Sequence, residues 1–214
     1  RFFEVELGGI ARHGNGLLCK PMAIYDYLAE NAPVPFHPEF TPGDSIIDRL
    51  NGVVDLGNLH IKIQGIDDPV YRPYRDTIDY KGVEYDKYDS LSICDLPAID
   101  DGIGAVVWIA HYGYKGAIPD LRVRGLRVRC GNIQIGPNDL FKDLFGETRF
   151  NAWTVGEVHI LDKRIVPNGR RDHFEQGGHF DNLVNHLAPI TRQVASRCRE
   201  SSRIRHLLRE FHRR

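Results

Sequence analysis

The chain has 214 residues, 42% of them hydrophobic and 27% charged, and a formal net charge of -1. That is the composition of an ordinary soluble globular protein with enough apolar residues for a substantial core. The near-zero balance excludes a general attraction to nucleic acid or to a membrane surface. No run is long and apolar enough to cross a bilayer and no signal peptide is visible, so a cytoplasmic location is expected.

Charge is uneven along the chain. Ten acids face four bases between Asp67 and Asp101, whereas eight arginines face three acids from Phe180 onward. Solvated faces account for such asymmetry. Cys19, Cys94, Cys130 and Cys198 lie far apart with no CxxC pair, which suits free thiols in a reducing compartment. Opening at Arg1 rather than Met, the chain is expected to be a piece of a longer protein.

Residues 2–7 read as the end of a strand, followed by a Gly-rich loop (Gly8-Gly9, Gly14-Asn15-Gly16). Pro21 can open a helix with Met22, Tyr25, Leu28, Ala29 and Ala32 on one face, and Pro33 and Pro35 stop it. Ile46, Ile47, Leu50, Val53 and Val54 form a second helical pattern, and Leu59, Ile61 and Ile63 alternate as in a strand. Residues 67–103 are acidic and rich in Tyr and turn formers, as strands joined by exposed loops would be. Tyr71-Arg72-Pro73 is placed near an edge because Pro cannot donate to a ladder. Residues 105–112 (AVVWIAHY) read as a buried strand.

In residues 122–129 the arginines change parity at Gly125. A β-bulge there puts Val123, Leu126, Val128 and Cys130 on an apolar face and Arg122, Arg124, Arg127 and Arg129 on a basic one. The basic face is read as the solvated outer face of a sheet, with phosphate contact as the alternative. Pro137 or Asn138 opens a short helix through Leu140, Phe141, Leu144 and Phe145. A last helical segment carries Phe180, Leu183, Val184 and Leu187, is broken or restarted at Pro189, and resumes with Ile190, Val194, Cys198, Ile204, Leu208 and Phe211.

The stretch that concentrates chemistry is 150–176. A strand over 153–161 continues through Arg164-Ile165-Val166 into a Pro167-Asn168-Gly169 turn and a helix expected to start at Arg170. Arginines are disfavoured at a helix start by about 0.3–1 kcal/mol each. Two in succession, beside free N–H groups, make a phosphate site a natural reading, with solvation or pairing to Asp172 and Glu175 as the plain alternative.

This segment resembles the middle domain of the heat-shock protein 90 class of chaperone ATPases in the GHKL superfamily, where a similar strand leads through an Asn and a short turn to a Ser-Arg-Glu helix start. On that pattern Asn168 falls on the Asn, Arg171 on the Arg and Asp172 on the Glu, while Arg170 stands where Ser is usual. Related mismatch-repair ATPases and the gyrase B subunit present a Lys from a comparable loop, which keeps Arg170 as a second candidate for the phosphate contact.

The resemblance implies that Arg171, helped by Arg170, reaches the ATP γ-phosphate. Asn168 and Gly169 would shape the loop, and Asp172 would cap the helix. ATP and Mg would be bound by an upstream nucleotide-binding domain in cis, this piece alone holding neither and being inactive. Homodimerisation and client proteins would follow. It also implies an α+β fold: a mixed sheet with helices on one face, a left-handed β-α-β unit and a C-terminal helical tail. The division expected is 1–40 (end of the nucleotide-binding domain and connecting helix), 41–188 (transducer) and 189–214 (helical extension).

Asp100-Asp101-Gly102-Ile103-Gly104 matches the D-x-G-x-G adenine box of such ATPases, but a buried strand follows at once and no Glu-x-x-x-Asn helix precedes it. It is read as a loop. His173, His179 and His186 are too far apart on a helix to share a metal ion. The alternative function is a nucleic-acid-associated module using residues 122–129 and the Arg-rich tail.

Overall fold

The computed structural model describes residues 20–213 except 57 and 58; the strand and Gly-rich loop expected before Lys20 lie outside the described residues. The fold is α+β. Helices α1 (Pro21–Asn31) and α2 (Gly43–Leu50) precede strands β1 (Thr77–Tyr80), β2 (Val83–Pro97), β3 (Ile103–Tyr112), β4 (Gly125–Cys130), β5 (Ile133–Ile135) and β6 (Val155–Ile160), and α3 (Gly178–His212) closes the chain. The six strands form one sheet in the order β1-β2-β3-β6-β4-β5.

All neighbouring pairs are antiparallel except β4 and β6, which run parallel. The three hairpins turn through Lys81-Gly82, Asp101-Gly102 and Gly131-Asn132, each pair at positive φ, the turn geometry that matches strand twist. Asp100 to Gly104 is therefore a hairpin loop running into β3, as read from the sequence.

The sheet is covered on both sides. On one face Val107, Ile109, Leu126, Val128 and Val158 pack beneath Leu183, Leu187, Val194 and Cys198 of α3. On the other, Trp108 sits among Phe36, Phe40 and Tyr74, with Ile46 and Leu50 of α2 beside them. The ring centroids of Trp108 and Tyr74 are 5.1 Å apart at 86°, an edge-on contact.

Two helical expectations need correction. α3 does not break at Pro189 but runs through it. The hydrogen bond lost there is outweighed by burial of residues on both sides, and Thr191 Oγ1 donates to the Leu144 carbonyl, tying this turn to the neighbouring loop. Residues 138–145 form no α-helix; the crossover from β4 to β6 is carried by 3₁₀ turns, Lys142–Phe145 and Thr148–Trp153. Leu59, Ile61 and Ile63 likewise form no regular strand, although Val70 N–H donates to the Ile61 carbonyl.

Gly125 makes no bulge within a strand, contrary to expectation: residues 121–123 are a turn, β4 only begins at Gly125 and pairs with β6 in unbroken register, and Val123 packs in the Trp108 cluster, on the other face of the sheet from Leu126 and Val128. The φ of Gly125 is +95°, and an added Cβ would lie 2.1 Å from the Asn138 carbonyl oxygen. Gly146 also has positive φ, +76°, but faces open space. Gly125→Ala should therefore cost about 3 kcal/mol, combining backbone strain with overpacking, against about 1 kcal/mol for Gly146→Ala. Equal urea midpoints for the two variants would show that the Asn138 carbonyl retracts freely.

Candidate functional site

The expected helix start at Arg170 is absent. Residues 165–175 form a tight hairpin loop instead, and α3 begins only at Gly178. Pro167 and Phe174 pair as an isolated antiparallel bridge. Asn168 N–H donates to the His173 carbonyl at 2.9 Å, and Glu175 N–H to the Val166 carbonyl at 2.9 Å.

The tip is a turn in which Arg171 N–H donates to the Asn168 carbonyl at 2.9 Å. Arg171 then sits at φ +57°, where Gly or Asn is usual. A helix cannot start through such a residue, which is the physical reason for the correction.

Asn168 holds the loop in shape. Its Oδ1 accepts from the N–H of Asp172 and of His173, and its Nδ2 donates to Asp172 Oδ1 at 2.7 Å. Asp172 is thus a partner of Asn168 within the loop and caps no helix.

The base is fixed by Ile165 and Phe174, both buried, with the Phe174 ring stacked 5.7 Å from Phe180 of α3. Gly136 clamps the loop from β5: its N–H donates to the Arg171 carbonyl at 2.9 Å, and a Cβ there would meet the Asp172 carbonyl oxygen at 2.7 Å.

Arg170 and Arg171 project from this fixed loop. Both are exposed, and among the described residues neither guanidinium makes an ion pair or a side-chain hydrogen bond. The N–H groups of Gly169 and Arg170 have no acceptor among the described residues either. The loop borders a hollow of about 480 Å³ lined by Tyr27, Asn31, Gln134, Arg170, Arg171 and Asp172. Two guanidinium forks at the rim of one hollow, with N–H groups left without acceptors in the same turn, suit a phosphate-bearing ligand.

A second constellation was not foreseen. The basic face of residues 122–129 is not a solvated surface: Arg127 and Arg129 are buried. So is Arg72, which the sequence places near a sheet edge. Between them lies Glu157 of β6, fully shielded from solvent.

Glu157 Oε2 accepts from Arg72 Nη1 at 2.5 Å and from His159 Nε2 at 2.9 Å. Its Oε1 accepts from Arg129 Nε at 2.5 Å and from the Tyr74 hydroxyl at 2.9 Å. Burial opposes its charge, but Arg129 and Arg72 outweigh that and hold the carboxyl well below the usual range.

Burial, then the neighbouring Arg129, brings Arg72 down to about 10. Burial also lowers His159, so its imidazole is neutral with the proton on Nε2, and the unpartnered buried Nδ1 carries only a lone pair.

These cations bind the N-terminal segment to the sheet. Arg129 donates to the Glu30 carbonyl, Arg127 to the Glu30 carboxylate, and Arg72 to the Val34 carbonyl. Asn132 links Arg72 to the Leu56 carbonyl. Gln134 accepts from Arg127 at 2.7 Å and donates to the Gly136 carbonyl at 3.1 Å. Through Gly136 a continuous set of hydrogen bonds runs from α1 to the arginine loop. The only advance signal was the parity of the arginines around Gly125; nothing local marked Glu157 as their partner.

No protein-family model matches the chain, and neither a curated protein nor a solved structure matches it significantly. Among the described residues no helix is long and apolar enough to cross a membrane.

Proposed function

We propose that the chain is the middle, transducer part of a heat-shock protein 90-like ATPase, and that its hairpin presents Arg171, with Arg170 beside it, to the γ-phosphate of ATP bound by a neighbouring domain. The observation that carries this reading is the pair of exposed guanidinium groups, without a carboxylate of their own, on a loop locked by Asn168, Gly136 and Phe174. Ordinary surface arginines ride on mobile stems. Here the backbone that bears them is fixed, which limits where the two guanidinium groups can reach, and a bound phosphate would order the side chains themselves.

Mg and the adenine site belong, on this reading, to the other domain. The hydrogen bonds from Glu30 through Arg127 and Gln134 to Gly136 offer a route by which nucleotide state is relayed into the sheet. The test is ATP turnover by the polypeptide that includes the nucleotide-binding domain, with Arg170→Ala and Arg171→Ala compared. Unchanged turnover in both rejects the assignment.

The nucleic-acid reading loses its strand, because Arg127 and Arg129 are buried and Arg122 is paired with Asp120 and Asp26.

A further inference from the structure

β2 is fifteen residues long but is paired on its outer side only at its start: β1 reaches Lys87, and Tyr88 N–H is taken by the Asp76 carbonyl. From Asp89 to Leu96 the only strand beside it, among the described residues, is β3. The direction of its free groups follows from the ladder. The Gly104 carbonyl accepts from Leu161 N–H beyond β6, so even-numbered residues of β3 face β6 and Ala105, Val107, Ile109 and His111 face β2. Their partners Leu96, Cys94, Ser92 and Ser90 spend their backbone groups on β3, which leaves those of Leu91, Ile93 and Asp95 directed outward.

Proteins usually blunt such an edge with Lys, Pro or a bulge. Irregularities flank this one, at Tyr88/Ser90 and Leu96/Pro97, but Leu91 to Cys94 carries none.

Beside the edge runs α3. Together they enclose a groove of about 380 Å³, lined by Leu91 to Cys94, by Ile109 and His111, and by Ile190, Val194 and Arg197 of the helix. Ser92 and Tyr114 both hydrogen-bond the His111 ring, so the polar floor is satisfied internally. The walls offer apolar contact, and Arg197 stands exposed at one end with no ion pair among the described residues.

We propose that this groove binds one extended peptide of a partner protein by β-strand addition, the peptide pairing with Leu91, Ile93 and Asp95 and setting an acidic side chain against Arg197. Backbone pairing supplies affinity without regard to sequence, while the apolar wall and the cation select alternating apolar residues and a carboxylate. A second copy fits less well. Edge-to-edge pairing of two copies would place the acids Asp89 and Asp95 of both along one seam, whereas a partner peptide can bring apolar residues and a carboxylate for Arg197.

The experiment is selection from a display library of random peptides about nine residues long on the 214-residue chain, followed by amide spectra with the selected peptide. Expected are alternating apolar peptides carrying Asp or Glu, with the Leu91 and Ile93 amides shifting most and gaining exchange protection. Arg197→Glu should weaken binding about tenfold, equivalent to about 1.4 kcal/mol, and a peptide with Lys for its acid should recover it on that variant. The proposal is overturned by failure to enrich any peptide, by shifts centred away from β2, by indifference to Arg197→Glu, or by self-association that already protects those amides.

Discussion

Arg171→Ala is expected to cut ATP turnover about 10³-fold or more while leaving nucleotide affinity within a few-fold. The asymmetry follows from where a guanidinium acts. Charge accumulates on the γ-phosphoryl oxygens as the bond to the leaving group lengthens, so a fixed cation beside them stabilises the transition state far more than bound ATP. Arg170→Ala should cost less if Arg171 is the contact, and the order should reverse if Arg170 is.

Two further variants keep this from being confused with damage to the fold. Arg171→Gly removes the guanidinium but suits φ +57° better, so turnover should fall with no loss of thermal stability. Gly136→Ala leaves both guanidinium groups in place, yet its Cβ would push on the Asp172 carbonyl from 2.7 Å and displace the hairpin, so turnover should fall there as well. A fully active Gly136→Ala enzyme would mean that the loop's position is immaterial.

What could be read from the sequence divides by range. β3, β6, α1 and α2 are legible because their apolar periodicity and proline boundaries are local. The parity change at Gly125 marked an irregular backbone, but a turn leading into a strand gives the same change as a bulge within one. The arginine hairpin was half legible. Its turn and its residues were found, but a short strand, a turn and charged residues before an apolar stretch fit a helix start and a hairpin equally until Asn168, five residues from His173, decides between them.

The buried cations were illegible for a different reason. Arg72 and Glu157 are 85 residues apart, and an arginine on a strand has the same sequence signature whether it meets water or a buried carboxylate. Pro189 misled because a propensity cost of about 3 kcal/mol is local, whereas the packing of α3 on the sheet that overrides it is not.

Glu157→Gln should lower the unfolding free energy by about 3–5 kcal/mol, enough to consume much of the 5–15 kcal/mol a domain ordinarily has. The amide keeps the shape of the site but leaves Arg72 and Arg129, both buried, facing each other without a counter-charge. Breaking the exposed Arg164–Asp100 pair by Asp100→Asn should cost less than about 1 kcal/mol, because water screens it.

The pH dependence has a definite sign. The carboxyl of Glu157 is held well below its usual range in the folded state, so its contribution is complete above about 4.5 and is lost as pH falls through the folded value. His159 is lowered by burial, and His111, also by burial, to about 4, so each adds stability that starts to be lost below about 6.5. Wild-type stability should thus decline from about pH 6.5 downward and more steeply below about 4.5, whereas Glu157→Gln keeps the histidine part and loses the steep part. Urea midpoints measured between pH 7 and 3 separate the two. Parallel curves would mean that Glu157 carries a proton in the folded protein, and the assignment of its charge to Arg72 and Arg129 would fall.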